Sequence, residues 1–128
     1  MKKIYLEFKN FSVEVSLNDT VVAQKIYNSL PIESEINIWG EEIYFTIPIV
    51  SDNENPTMEV EIGDIGYWPQ GNSFCIFFGK TPISTTNKPV PYSEITLIGN
   101  FEPKKEIITN LKKLKFGEKV RMIKWKMF

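Results

Sequence analysis

The chain holds no histidine, one cysteine (Cys75) and one arginine (Arg121) among its 128 residues. The missing imidazole removes Ser-His-Asp and Cys-His nucleophilic catalysis, histidine metal sites and a histidine proton switch. A lone arginine leaves little scope for bidentate clamps on phosphate or carboxylate. Cys75 has neither a histidine nor a neighbouring basic residue to draw it toward thiolate, so it reads as a buried, inert thiol. What the sequence offers instead is aromatic surface. Tyr67-Trp68-Pro69 sits in the stretch Gly63–Pro82, GDIGYWPQGNSFCIFFGKTP, between two apolar runs and beside glycines. Rings beside a glycine-bearing turn can stack on a ligand, and Trp and Tyr dominate binding hot spots. The plainer alternative is that Trp68 is packing.

Other patterns with a chemical reading are weaker. Trp39, Tyr44, Phe74 and Phe78 can join Tyr67 and Trp68 in one mostly apolar pocket with few polar groups, as ligand sites usually are. For the Phe residues a core position is the favoured reading. Arg121 shares a strand face with Ile123 and Trp125. Facing inward it would anchor an anion, and at the surface it would pair with a glutamate, the favoured reading. Gly79-Lys80-Thr81 has the tail of a phosphate loop but Phe74 where its first glycine belongs, so that motif is rejected. Asp52, Asn53, Glu54 and Asn55 lack the glycine hinge and distal glutamate of a calcium loop and read as a turn. Glu59 and Glu61 read as solvated charges. No metal or cofactor is implied.

Composition bounds the rest. With 42% hydrophobic and 24% charged residues the chain is ordinary for a globular domain, and its length suits a single domain over residues 1–128. No apolar run approaches the roughly 20 residues of a membrane helix. MKKIYLEF is too short and too polar for a secretory core. One cysteine cannot make an internal disulfide, and a cytoplasmic location is expected. Charge is lopsided. Residues 1–64 carry 4 basic and 12 acidic side chains, and residues 65–128 carry 11 and 4. A basic face for nucleic acid is one reading. Two solvated faces within an acidic-pI domain is the better one, so nucleic acid is not an expected partner.

The elements that must hold these residues follow from periodicity. Ile4–Phe8 and Phe11–Leu17 alternate as strands around a Lys9-Asn10 turn. Asn18 or Asp19 caps a helix with Val22, Ile26 and Leu30 on one face, ended by Pro31. Glu35–Trp39 and Ile43–Ile47 read as strands around Gly40-Glu41. Met58–Ile62 alternates as another strand. Phe74–Phe78 is apolar throughout, so it is expected to be buried on both sides. Thr81–Ser93, with three prolines, is a long loop of the kind that often binds. After the Ile95–Ile98 strand, a helix with Ile107, Leu111 and Leu114 inward runs to Gly117, and Val120–Met127 closes as a strand. About eight strands and two helices fit an all-β closed barrel with a helix over each end.

Order and motifs together resemble the cyclophilins. The hairpin, the helix and the IWGEEIYF pair stand in the order of the first half of that barrel. VEIGDIGYWPQGNSFCIFFGKT resembles its peptide-groove strands, and ITLIGNF with the following helix and strand resembles its last third. The GDIGYWP…FCIFFGKTP string is similar to small prokaryotic cyclophilin-like proteins of undefined role. The resemblance implies a cyclophilin-like closed β-barrel with two capping α-helices. Prolyl isomerases of this fold use an arginine, a glutamine, and a histidine and tryptophan at the rim. Glu33–Pro48 contains no Arg, Gln or His, and the rim loop Thr81–Ser93 no His or Trp. Without a donor to the prolyl nitrogen, little of the ~20 kcal/mol isomerisation barrier would fall. The expectation is therefore a non-catalytic binding domain. It would take a small molecule or proline-containing peptide through Tyr67, Trp68, Pro69, Asn72, Phe78, Trp39, Tyr44 and Arg121. The alternative is a divergent prolyl isomerase using Arg121 or backbone donors.

Overall fold

A computed structural model describes residues 2–125. Its strands are β1 (Lys2–Glu7), β2 (Ser12–Leu17), β3 (Ile32–Glu35), β4 (Asn37–Trp39), β5 (Glu42–Thr46), β6 (Asp64–Trp68), β7 (Ser73–Phe77), β8 (Thr96–Asn100) and β9 (Lys119–Lys124). The helices are α1 (Val21–Asn28) and α2 (Lys105–Lys112). The strands pair in the order β3-β9-β1-β2-β8-β6-β7-β5-β4. The two edge strands, β3 and β4, are consecutive in sequence and separated only by Ile36. One stretch of chain thus leaves one edge of the sheet and joins the other, which nearly closes the barrel and hides both edges. Ile36 is buried, and its backbone donates to the Glu118 carbonyl (2.9 Å) and accepts from Gly117 N–H (2.9 Å). Those bonds tie the junction to the approach to β9.

Period-two burial builds the interior. Ile4 and Leu6, Val13 and Val15, Ile43 and Phe45, Ile65 and Tyr67, and Phe74 and Ile76 all face one core. The helices lie at opposite ends. At one, α1 buries Val22, Ala23 and Ile26, and its Tyr27 ring sits under Lys2 and Lys124. At the other, Leu111 of α2 is buried and Lys112 pairs with Glu41 at 3.2 Å.

Several boundaries depart from the sequence expectations. The barrel has nine strands rather than eight. The expected strand Met58–Ile62 is irregular: only Val60 is buried, and Glu61 and Asp64 close a turn (Asp64 N–H to Glu61 carbonyl, 3.0 Å). Both edges of β6 are already taken by β7 and β8, so that alternating segment finds no strand to pair with beyond the single bridge Thr57–Ile95. The cap of α1 is Thr20, whose hydroxyl accepts from Ala23 N–H (3.2 Å), with Asn18 holding Thr20 in turn (2.8 Å). Glu54 completes that helix end by accepting from Val21 and Val22 N–H. A carboxylate there complements the helix dipole, so the acidic 52–55 turn has a structural task. The expected final strand ends at Lys124, and its last two residues lie outside the described ones. No helix among the described residues is long and apolar enough to cross a membrane.

Candidate functional site

Strand β7 is buried at every position, and the apolar run Phe74–Phe78 is buried throughout as expected. Phe74 and Ile76 point into the barrel. Cys75 and Phe77 point outward into a second, smaller cluster with Val60 and Ile95. Register extends this outer face sideways. Tyr44 lies opposite Cys75, Glu42 opposite Phe77, and Trp39 opposite Glu42. On the other flank Gly66 lies opposite Cys75, and Trp68 is two residues further along β6. A Cβ at Gly66 would meet Ile95 Cδ1 at 2.5 Å, so a glycine here lets Ile95 reach the floor.

The loop after β7 folds over this face. Thr81 Oγ1 donates to the Val90 carbonyl (2.6 Å), and Ser84 accepts from Thr81 N–H (2.9 Å) while donating to the Lys88 carbonyl (2.7 Å). Thus cinched, the loop brings Pro91 and Tyr92 against the sheet. Trp68 is fixed from two sides. Its indole N–H donates to Ser93 Oγ (2.7 Å) and Gln70 Oε1 (3.1 Å), and Ser93 donates to the same Gln70 oxygen (2.7 Å). Beneath it, a Cβ on Gly71 would stand 2.5 Å from the indole ring, so the ring lies on bare backbone.

The result is a half-open pocket of about 310 Å³ lined by Trp39, Glu42, Tyr44, Trp68, Cys75, Pro91, Tyr92 and Ile95. Four rings form its wall, each nearly perpendicular to the next. Tyr44 meets Trp68 at 6.2 Å and 85°, Trp68 meets Tyr92 at 5.9 Å and 77°, and Tyr92 meets Trp39 at 6.0 Å and 77°. Glu42 supplies the one carboxyl. It is 6% exposed, and no lysine or arginine among the described residues pairs with it. Burial pushes its pKa from 4.5 up to about 7, opposed by the Cys75 thiol beside it, which favours the ionised form. Burial pushes the Cys75 thiol well up, and the neighbouring carboxyl pushes it further, so this cysteine stays protonated.

Of the residues singled out in the sequence, Trp39, Tyr44 and Trp68 meet here. Tyr67 does not. It is fully buried in the barrel, its hydroxyl donating to the Ile49 carbonyl (2.8 Å) and to Asn72 Oδ1 (3.3 Å). Pro69 opens the tight turn Pro69–Gly71, and Asn72 closes it in the left-handed region at φ 45°. Phe78 belongs to the barrel core. Arg121 stands on β9, half-exposed, beside Glu7 (3.6 Å) and Glu33 (3.9 Å), which is its expected ion-pair role. The pocket therefore has no guanidinium. Glu42, Pro91 and Tyr92 were not anticipated as site residues. Glu42 did leave a signal, since the pattern of β5 puts it on the same face as Tyr44. Among the described residues no cluster of acidic or cysteine side chains could hold a metal ion.

A family model described as Cyclophilin-like matches residues 2–122. The chain belongs to the cyclophilin-like family. A hypothetical protein from Archaeoglobus fulgidus, known from its solution structure, is 35% identical to this cyclophilin-like chain. That match has a TM-score of 0.80 and covers 97% of this chain and 95% of the archaeal one. McbB, solved in complex with tryptophan, shares the fold at 16% identity and a TM-score of 0.68, covering 98% of this chain but 45% of McbB. No curated protein matches.

Proposed function

We propose that this cyclophilin-like chain is a binding domain and that the Trp39–Glu42–Tyr44–Trp68–Tyr92 pocket is its site. The ligand is a small molecule with an apolar body and one polar group directed at Glu42. The observation that carries this reading is the pocket itself. Its Trp68 ring is held in the wall by side-chain hydrogen bonds to Gln70 and Ser93, which leaves the concavity open. A mostly apolar concavity with one buried polar group is the usual form of a small-molecule site. No arginine faces the pocket to polarise a prolyl nitrogen, so binding is favoured over isomerisation.

A fragment screen read by thermal shift and tryptophan fluorescence tests the reading. A ligand at 100 times its Kd stabilises the fold by about 2.7 kcal/mol. Hits should quench tryptophan emission, and Trp68→Ala should remove both signals. Hits that bind Trp68→Ala as well as the parent, or a screen in which nothing shifts, would overturn the assignment.

A further inference from the structure

We propose that the ligand is an organic cation, an ammonium bearing apolar substituents, held against the aromatic wall with its charge facing Glu42. This rests on the assignment of the pocket as the binding site and names the chemistry the site selects. Three observations converge on it. The rings of Tyr44, Trp68, Tyr92 and Trp39 meet one after another at 85°, 77° and 77°, forming an angled wall rather than a flat stack. Aromatic faces carry negative potential, and boxes of Trp and Tyr are suited to ammonium groups. At the base lies Glu42, a carboxyl that lines the cavity and pairs with no lysine or arginine among the described residues. Lysines on the neighbouring helix and loop are engaged with other carboxylates: Lys112 pairs with Glu41, and Lys88 pairs with Glu61 at 2.7 Å.

A buried carboxylate without a counter-ion is costly, and a bound cation relieves that cost. A neutral planar ligand would use the rings and leave Glu42 unanswered. The half-open mouth suits a cation with an apolar or hydroxylated tail, because Tyr92 is 70% exposed and leaves one side reachable from solvent.

Calorimetry on the full chain with two matched pairs tests the inference: choline against 3,3-dimethylbutan-1-ol, and 2-phenylethylamine against 2-phenylethanol. Each pair differs chiefly in the positive charge. The inference expects the cation of at least one pair to bind at least tenfold more tightly than its neutral partner. Glu42→Gln should remove most of that preference by weakening the cation far more than its neutral partner. If Glu42→Gln does not fold, Tyr92→Ala, at an exposed ring, should weaken the cation by several-fold. Neutral partners that match or exceed the cations would overturn the cation inference and leave the pocket assignment standing. Silence from all four compounds overturns it too. The broader fragment screen with Trp68→Ala then decides separately whether the pocket binds anything.

Discussion

Replacing Glu42 by glutamine should flatten the dependence of stability on pH. The carboxyl has a pKa near 4.5 when the chain is unfolded and about 7 when it is folded. A raised carboxyl pKa means that the folded state holds the proton more tightly. The stability this contributes is complete below about pH 4.5 and is lost as the pH rises through about 7. That difference is worth roughly 3 kcal/mol across the window. For a chain of this length that is on the order of 10 °C in melting temperature. Glutamine keeps the shape and cannot titrate. Asp64, whose pKa burial also raises, contributes the same sign in both proteins and cancels in their difference. Urea denaturation of parent and Glu42→Gln between about pH 4 and pH 8 should therefore give stability curves that lie close together at the acid end, where both side chains are neutral, and separate toward the alkaline side. The parent should lose about 3 kcal/mol more than the variant on going up. Parallel curves would refute the reasoning, because they would mean that Glu42 titrates in the folded protein as it does in the unfolded chain, in a wet site.

Three further outcomes follow. Tyr67→Phe removes a buried hydroxyl that bonds the Ile49 carbonyl and should cost about 1–2 kcal/mol in chemical denaturation while leaving pocket binding unchanged. Arg121→Ala should cost less than about 1 kcal/mol, because its ion pairs are solvated, and a binding isotherm at the pocket should not move. Cys75 should react with a thiol reagent only on the unfolding timescale in native buffer and at once in denaturant. Fast native labelling would mean that the pocket floor opens.

Much of the barrel was legible because its strands alternate cleanly. Val13, Val15 and Leu17 face the core as their spacing predicts, and the all-apolar Phe74–Phe78 is indeed covered on both sides. Alternation failed at Met58–Ile62 because pattern reports a one-faced segment and not whether a partner edge remains free. The Tyr67-Trp68 pair shows a second limit. Neighbouring residues on a strand face opposite ways, so one ring goes to the core and the other to the pocket, and only register tells which. Tyr92 and Pro91 join the site through a loop closed by Thr81 and Ser84, contacts that no local sequence pattern encodes. Glu42 was hidden by its charge. A glutamate in a hairpin reads as solvated unless its face is known to be covered.

The most direct test of the central claim is an NMR titration of the full chain with hits from the fragment screen, following the indole N–H signals of Trp39 and Trp68 and the carboxyl carbon of Glu42. Saturable shifts of all three with one dissociation constant, while Arg121 and Glu33 stay still, are the predicted result. Shifts confined to the Arg121 face, or hits that move neither tryptophan nor Glu42, would contradict the claim that this pocket is the binding site.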